Sequence, residues 1–196
     1  MATLSSSDQS GLIVLAIIVL IMARRTYMLS QGARYGPTRI FAYGAFSMFL
    51  FAYLAGSTIY LAWAVWGPLA LALLAPYLAI IAAAAWAFRP VVERHVKFET
   101  RADGAVYYRL PVILPVLTLV FFLARVGAEI ALFGVGFIAT LAIPAGVTSL
   151  SLAILIALDL LFGTSIGMLI GRGLGVRGAY AAQHPASDAP LASKPA

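Results

Sequence analysis

Apolar residues in this chain come in long unbroken runs, not in the periodic stripes of elements that keep one face in water. Ile40 to Tyr60 and Pro68 to Phe88 each hold about 21 residues without a charge, ~30 Å of helix at ~1.5 Å per residue. Both predict membrane-spanning helices, and Leu110 to Phe133 and Val147 to Ile170 predict two more. Gly11 to Ala23 is a run of thirteen residues, short of the ~20 a bilayer requires, but Ser5 to Ser10 can carry its helix into the headgroups. Asp8 before it and Arg24-Arg25 after it reverse the charge order of a cleavable leader, so it reads as an uncleaved anchor. The pattern predicts an all-α fold: a five-helix transmembrane bundle forming one domain over residues 1–178.

The segments between the runs carry their own signals. Trp63 and Trp66 precede Gly67-Pro68 with no charge nearby, which predicts an outer hairpin at the headgroup boundary. Gly134 to Gly146 is apolar but too short to span and is broken by Pro144, so it reads as an extension of the fourth helix plus an outer loop; a six-helix alternative would move Arg172 and Arg177 outside. Between the third and fourth helices, Val96, Phe98 and Thr100 alternate with Lys97, Glu99 and Arg101 before Asp103-Gly104. That predicts a cytoplasmic β-hairpin within residues 96–109, returning along Ala105 to Arg109. A two-stranded hairpin is marginal in water, so it should lean on helix ends or on a partner, either as a well-formed turn or as a docking element. The Ala-, Pro- and Ser-rich residues 179–196 predict a disordered cytoplasmic tail.

Composition agrees with a bilayer as solvent: 63% of residues are apolar and 10% charged, with a mean hydropathy of +0.99. The net charge of +6 comes from 13 basic and 7 acidic residues. Twelve of the bases, Arg24, Arg25, Arg34, Arg39, Arg89, Arg94, Lys97, Arg101, Arg109, Arg172, Arg177 and Lys194, fall on segments that share one side of the five-helix topology. By charge bias that side is cytoplasmic, giving a multi-pass protein of the cell membrane with its N-terminus outside and anionic lipid headgroups beside its basic loops, among which Arg24 to Arg39 could hold an acidic lipid or phosphate. The bases form no continuous stripe that could track phosphates, which excludes nucleic acid as a partner.

Candidate chemistry is sparse. The chain has no cysteine, which removes disulfides and thiolate metal sites, and its two histidines, His95 and His184, lie outside the predicted helices, which removes a haem held between helix histidines. Gly173, Gly175 and Gly178 match G-x-G-x-x-G but follow a membrane helix where a dinucleotide fold needs a strand. No nucleophile set, metal motif or phosphate loop is present. A non-enzymatic protein without metal or cofactor is expected.

Three charges remain inside the predicted spans: Arg125 and Glu129 in the fourth helix and Asp159 in the fifth. A single such charge at mid-helix costs ~3 kcal/mol on insertion scales, so each should face protein or water and find a partner. Arg125 and Glu129 stand four apart on one face, and Asp159 lies at a depth similar to Arg125. Asp159 also opens the series Gly163, Gly167, Gly171, whose spacing of four lets another backbone approach on the same face. The cluster reads either as a proton or ion site, with Tyr53, Ser57 and Tyr60 as its polar lining, or as a structural ion pair that fixes helix register.

With these features in order, the chain resembles the CcdC-like family of prokaryotic membrane proteins. The resemblance spans most of residues 12–177 and is carried by the basic first inner loop, the stretch Lys97-Phe98-Glu99-Thr100-Arg101-Ala102-Asp103-Gly104-Ala105-Val106-Tyr107-Tyr108, the helix carrying Arg125, and Ser165-Ile166-Gly167-Met168 leading to Arg172. It implies five helices and a membrane location and brings no catalytic residue with it; Asp159 stands outside the shared pattern. With no catalytic constellation, the expected function is an accessory or assembly component that uses its glycine face and cytoplasmic hairpin to contact other membrane proteins or itself. The alternative is a small transporter or channel built on Arg125, Glu129 and Asp159. An intramembrane hydrolase using the two carboxylates rests on their presence alone.

Overall fold

The computed structural model describes residues 13, 15–24, 27, 32–102, 104–109, 113–134 and 147–183. Their architecture is mostly helical: α1 (Pro37–Trp66), a 3₁₀ helix (Gly67–Leu73), α2 (Leu74–His95), α3 (Ile113–Phe133) and α4 (Ser149–Gln183). Strands β1 (Ala33–Arg34), β2 (Lys97–Thr100) and β3 (Val106–Arg109) complete it. Among the described residues this makes four long helices, not five. Of the first expected span, the described residues Leu15–Arg24 are helical, and Met22 is buried against the core with Leu50 and Phe162. The Gly134 to Gly146 stretch lies outside the described residues apart from Gly134, as do the tail residues 184–196.

Among the described residues three stretches are long and apolar enough to cross a membrane: Gly44–His95, Val116–Phe133 and Ser149–Gln183. The first contains both α1 and α2, folded back on one another, since Thr58 and Tyr77 reach the same carboxylate, that of Asp159, and Phe51 and Ile80 line the same glycine, Gly163. The turn sits at Gly67, whose φ of +58° suits a residue without Cβ. It lies where Gly67-Pro68 predicted it, but Trp63 and Trp66 belong to the last turn of α1, and α2 begins at Leu74 instead of Pro68. Proline explains the delay: Pro68 suits the first position of a helical turn, while Pro76 has no N–H for the carbonyl of Ala72, which leaves the preceding turns free to tighten into 3₁₀ geometry.

α4 is the central helix. Its buried residues run from Ser151 to Ala179 on several faces, and it packs against each of α1, α2 and α3, most extensively α2. Gly163, Gly167, Gly171 and Gly175 form the seam with α2. A Cβ on Gly167 would overlap the carbonyl oxygen of Ile81, one on Gly171 that of Ala85, and one on Gly175 would stand 2.8 Å from that of Arg89. Small residues every fourth position here let two backbones touch. The glycine face is thus occupied by this chain's own α2.

The expected hairpin is present as β2 and β3, paired Lys97↔Arg109 through Thr100↔Val106. Gly104 takes φ +71° in the connection, and its N–H donates to the carbonyl of Arg101 at 2.9 Å. The structure adds a third strand: β1 pairs with β3 through Ala33↔Tyr108 and Arg34↔Tyr107, giving the order β1-β3-β2. One face of this sheet leans on helix ends, with Tyr108 and Val96 buried against Val92 of α2 and Val176 and Ala179 of α4, and Phe98 packed alongside. The marginal stability of a bare hairpin is met in this way.

α4 also runs to Gln183, thirteen residues past Ile170, where its span was expected to end, and into the segment expected as tail from residue 179. Tyr180 explains the extension: its ring stacks on Tyr35 with centroids 4.0 Å apart and meets Phe98 edge-on at 5.6 Å. Tyr180→Ala is therefore expected to cost about 2 kcal/mol from lost apolar area and ring contacts. Hydrogen exchange should show faster opening of the sheet amides and of residues 176–183, with the middle of α4 unchanged.

Candidate functional site

The site lies where α1, α3 and α4 meet, with one contribution from α2. Arg125 on α3 is fully buried at 0% exposure, Asp159 on α4 likewise, and Glu129 is 2% exposed. Arg125 Nε donates to Asp159 Oδ1 at 2.6 Å, and Nη1 stands 3.3 Å from Glu129 Oε2. The helices supply this geometry directly: four residues of rise bring Glu129 over Arg125, and α4 passes Arg125 at the level of Asp159.

α1 completes the set from a single turn. Arg125 Nη2 donates to Thr58 Oγ1 at 2.8 Å, to the Leu54 carbonyl at 3.2 Å and to Ser57 Oγ at 3.3 Å. Thr58 Oγ1 lies 2.5 Å from Asp159 Oδ2, and Tyr77 of α2 donates to the same oxygen at 3.1 Å. A hydroxyl has one proton, and the short contact to Asp159 claims that of Thr58, so its 3.3 Å approach to the Leu54 carbonyl adds little. Asp159 thus accepts three donors from three other helices, which makes it the best-held ion of the cluster.

Glu129 is held less completely. Nη1 of Arg125 comes within ion-pair distance of it but makes no well-directed hydrogen bond, so this half of the pairing is Coulombic. The Ser57 hydroxyl lies 3.0 Å from Glu129 Oε1 and 2.7 Å from the Leu54 carbonyl, and its single proton serves these two acceptors. Tyr53 lies within electrostatic reach of Glu129 from one turn further along α1.

The structure therefore brings together Arg125, Glu129, Asp159 and Ser57. Tyr53 borders the cluster with its side exposed, and Tyr60 is 47% exposed and contributes none of its hydrogen bonds. Of the three α1 residues expected to line the cluster, Ser57 meets it by hydrogen bonds to Arg125 and Glu129. Thr58 and Tyr77 were missed, and their signal was available: Thr58 is a polar residue inside a charge-free run, and Tyr77 is the one tyrosine of the third run. Such groups in an apolar helix need a partner, and a buried carboxylate supplies it. Gly163, Gly167 and Gly171 continue along α4 from Asp159, Gly163 against Phe51 of α1 and Ile80 of α2 and the other two against the α2 backbone. Gly173, Gly175 and Gly178 stand within continuous helix, with Gly175 packed on Arg89 and Val92 and Gly178 against Glu93, so they form no phosphate loop. Among the described residues no group of histidine and carboxylate side chains could hold a metal ion.

A second buried cation, Arg172, lies beneath the sheet at 7% exposure with its guanidinium 5.6 Å from the Tyr108 ring centroid, within cation–π reach.

No family model, curated protein or solved structure matches this chain.

Proposed function

We propose that the chain is an integral membrane protein of accessory or assembly type, without enzymatic activity, whose three intramembrane charges lock helix register. The observation that carries this reading is that the charges close directly on one another: Arg125 has no exposed surface and touches both carboxylates. A bundle of apolar helices has little to define its sliding position, and a buried ion set that fits at one register supplies that definition. The outer surface supports the bilayer: Phe49, Leu69, Leu78, Trp86 and Leu150 are all more than half exposed, a belt that water would not tolerate. Charge supports the expected orientation. The end holding the 3₁₀ helix and the start of α4 has no charged residue over 61–73 and 147–152, while the sheet end holds Arg34, Arg89, Arg94, Lys97, Arg101 and Arg109.

The glycine face cannot serve as the partner contact, because α2 already fills it. Contact with other membrane proteins falls to the remaining outer surfaces. Crosslinking in native membranes is expected to recover a second protein or a second copy; a strictly monomeric chain with no crosslinked species would overturn the assembly role. The alternative of a small transporter draws on one feature, the excess of one carboxylate over the single arginine. Reconstituted vesicles are expected to show no flux above lipid background across a panel of ions and pH gradients. Flux that disappears in Glu129→Gln would reverse the assignment.

A further inference from the structure

We propose that the outward face of the three-stranded sheet is an assembled binding surface for anionic lipid headgroups; this rests on the membrane reading above. The pairing register sets its composition. Arg34, Tyr107 and Glu99 lie across from one another in one row, and Lys97 and Arg109 in the next. Side chains alternate along a strand, so Phe98 and Tyr108 point the other way, into the packing against α2 and α4. The Arg101 guanidinium lies 4.0 Å over the Tyr107 ring, which places it on the same outward face. Gly32, at φ +92°, runs its backbone beside both arginines: a Cβ there would stand 3.3 Å from Arg101 Nη2 and 3.6 Å from Arg109 Cγ.

The face thus carries four bases and one acid, a net +3 (4 − 1), with Tyr107 at its centre. Glu99 engages Arg109 at 3.3 Å. The four bases come from two segments 63 residues or more apart in sequence, Arg34 from the first inner loop and the others from the hairpin, and the third strand joins them. Depth identifies the ligand. The packed face of the sheet reaches back along α2 to Val92 and Phe88, the last residue of the charge-free run, so its bases stand at the level of the headgroup layer. A tyrosine framed by arginines is the side-chain set of that layer, and a two-row face is too small to track a nucleic-acid backbone.

Electron spin resonance of the full chain in vesicles doped with spin-labelled phosphatidylglycerol or phosphatidylcholine measures the preference. The wild type is expected to favour the anionic lipid about fivefold or more at low salt, a preference that weakens as salt rises. Arg34→Gln/Lys97→Gln/Arg101→Gln should bring the ratio close to one, whereas Arg94→Gln/Arg177→Gln, which removes two exposed bases off this face, should leave it within about twofold. Should the triple variant fail to fold, Arg34→Lys/Arg101→Lys should retain the preference, and Lys97→Gln alone should lower it. An unchanged ratio in the triple variant, or no preference in the wild type, would overturn the proposal. So would displacement of the lipid by inorganic phosphate at constant ionic strength, which would mark a free-ion site, or by an acidic peptide, which would mark a protein-docking face. A chain that does not enter vesicles at all would instead overturn the membrane reading beneath it.

Discussion

Arg125→Leu should yield little or no folded protein. The substitution leaves Asp159 and Glu129 buried without their shared counter-charge, and it removes the donor that ties Leu54, Ser57 and Thr58 of α1 to α3. Breaking a buried ion pair from one side costs about 3–5 kcal/mol, comparable to the whole stability of many domains. Asp159→Asn should be milder, because the amide oxygen can still accept from Thr58 or Tyr77. The informative variant removes every charge at once: Arg125→Met/Glu129→Gln/Asp159→Asn is expected to recover most of the loss, since a neutral, polar-satisfied site no longer carries the desolvation of three ions. Thermal unfolding in detergent followed by circular dichroism reads all three. A neutral triple variant as unstable as Arg125→Leu would show that the ions stabilise the fold outright and do more than specify register.

A second large loss is expected from Gly171→Leu and Gly167→Leu. At both positions the first added carbon would overlap a carbonyl oxygen of α2, and backbone cannot swing aside as a side chain can. Overpacking of this kind costs about 3 kcal/mol or more, because the helices must separate and forfeit the seam on both sides. Gly56 and Gly127 provide the internal contrast. A Cβ at either meets nothing within 4 Å, so alanine there should stabilise its helix by about 0.5–1 kcal/mol. If Gly171→Leu unfolded at the wild-type temperature, the close approach of α2 and α4 would be wrong.

What the sequence disclosed follows from how much signal each feature needs. Charge-free runs of about twenty residues announce α1 and α2, and the runs of α3 and α4 stay apolar enough to announce a span despite Arg125, Glu129 and Asp159. Alternation over six residues and the Asp103-Gly104 turn disclosed β2 and β3, whereas β1 is two residues long and has no period to detect. Arg125, Glu129 and Asp159 were legible because burying an unpartnered charge is too costly to be incidental. Thr58 and Tyr77 give a weaker signal, since a threonine hydroxyl can bond its own helix backbone and a tyrosine is common near headgroups. The spacing of Gly163, Gly167 and Gly171 revealed close packing but not its partner, which only the return of α2 beside α4 identifies as the same chain. Ala179 and Tyr180 read as tail because their neighbours in sequence are tail-like, while their contacts, Val176, Tyr35 and Phe98, are distributed over three segments.

The chain's lack of cysteine gives a direct test of the closed charge cluster. Ser57→Cys places the sole thiol of the protein between Arg125 and Glu129, and Lys97→Cys places one on the exposed sheet. Charged methanethiosulfonate reagents applied to reconstituted protein from each side are expected to modify Lys97→Cys readily and to leave Ser57→Cys unmodified until the protein is denatured. Modification of Ser57→Cys in the folded protein at a rate near that of Lys97→Cys would mean that water reaches the three charges, contradicting their role as a sealed lock between the helices.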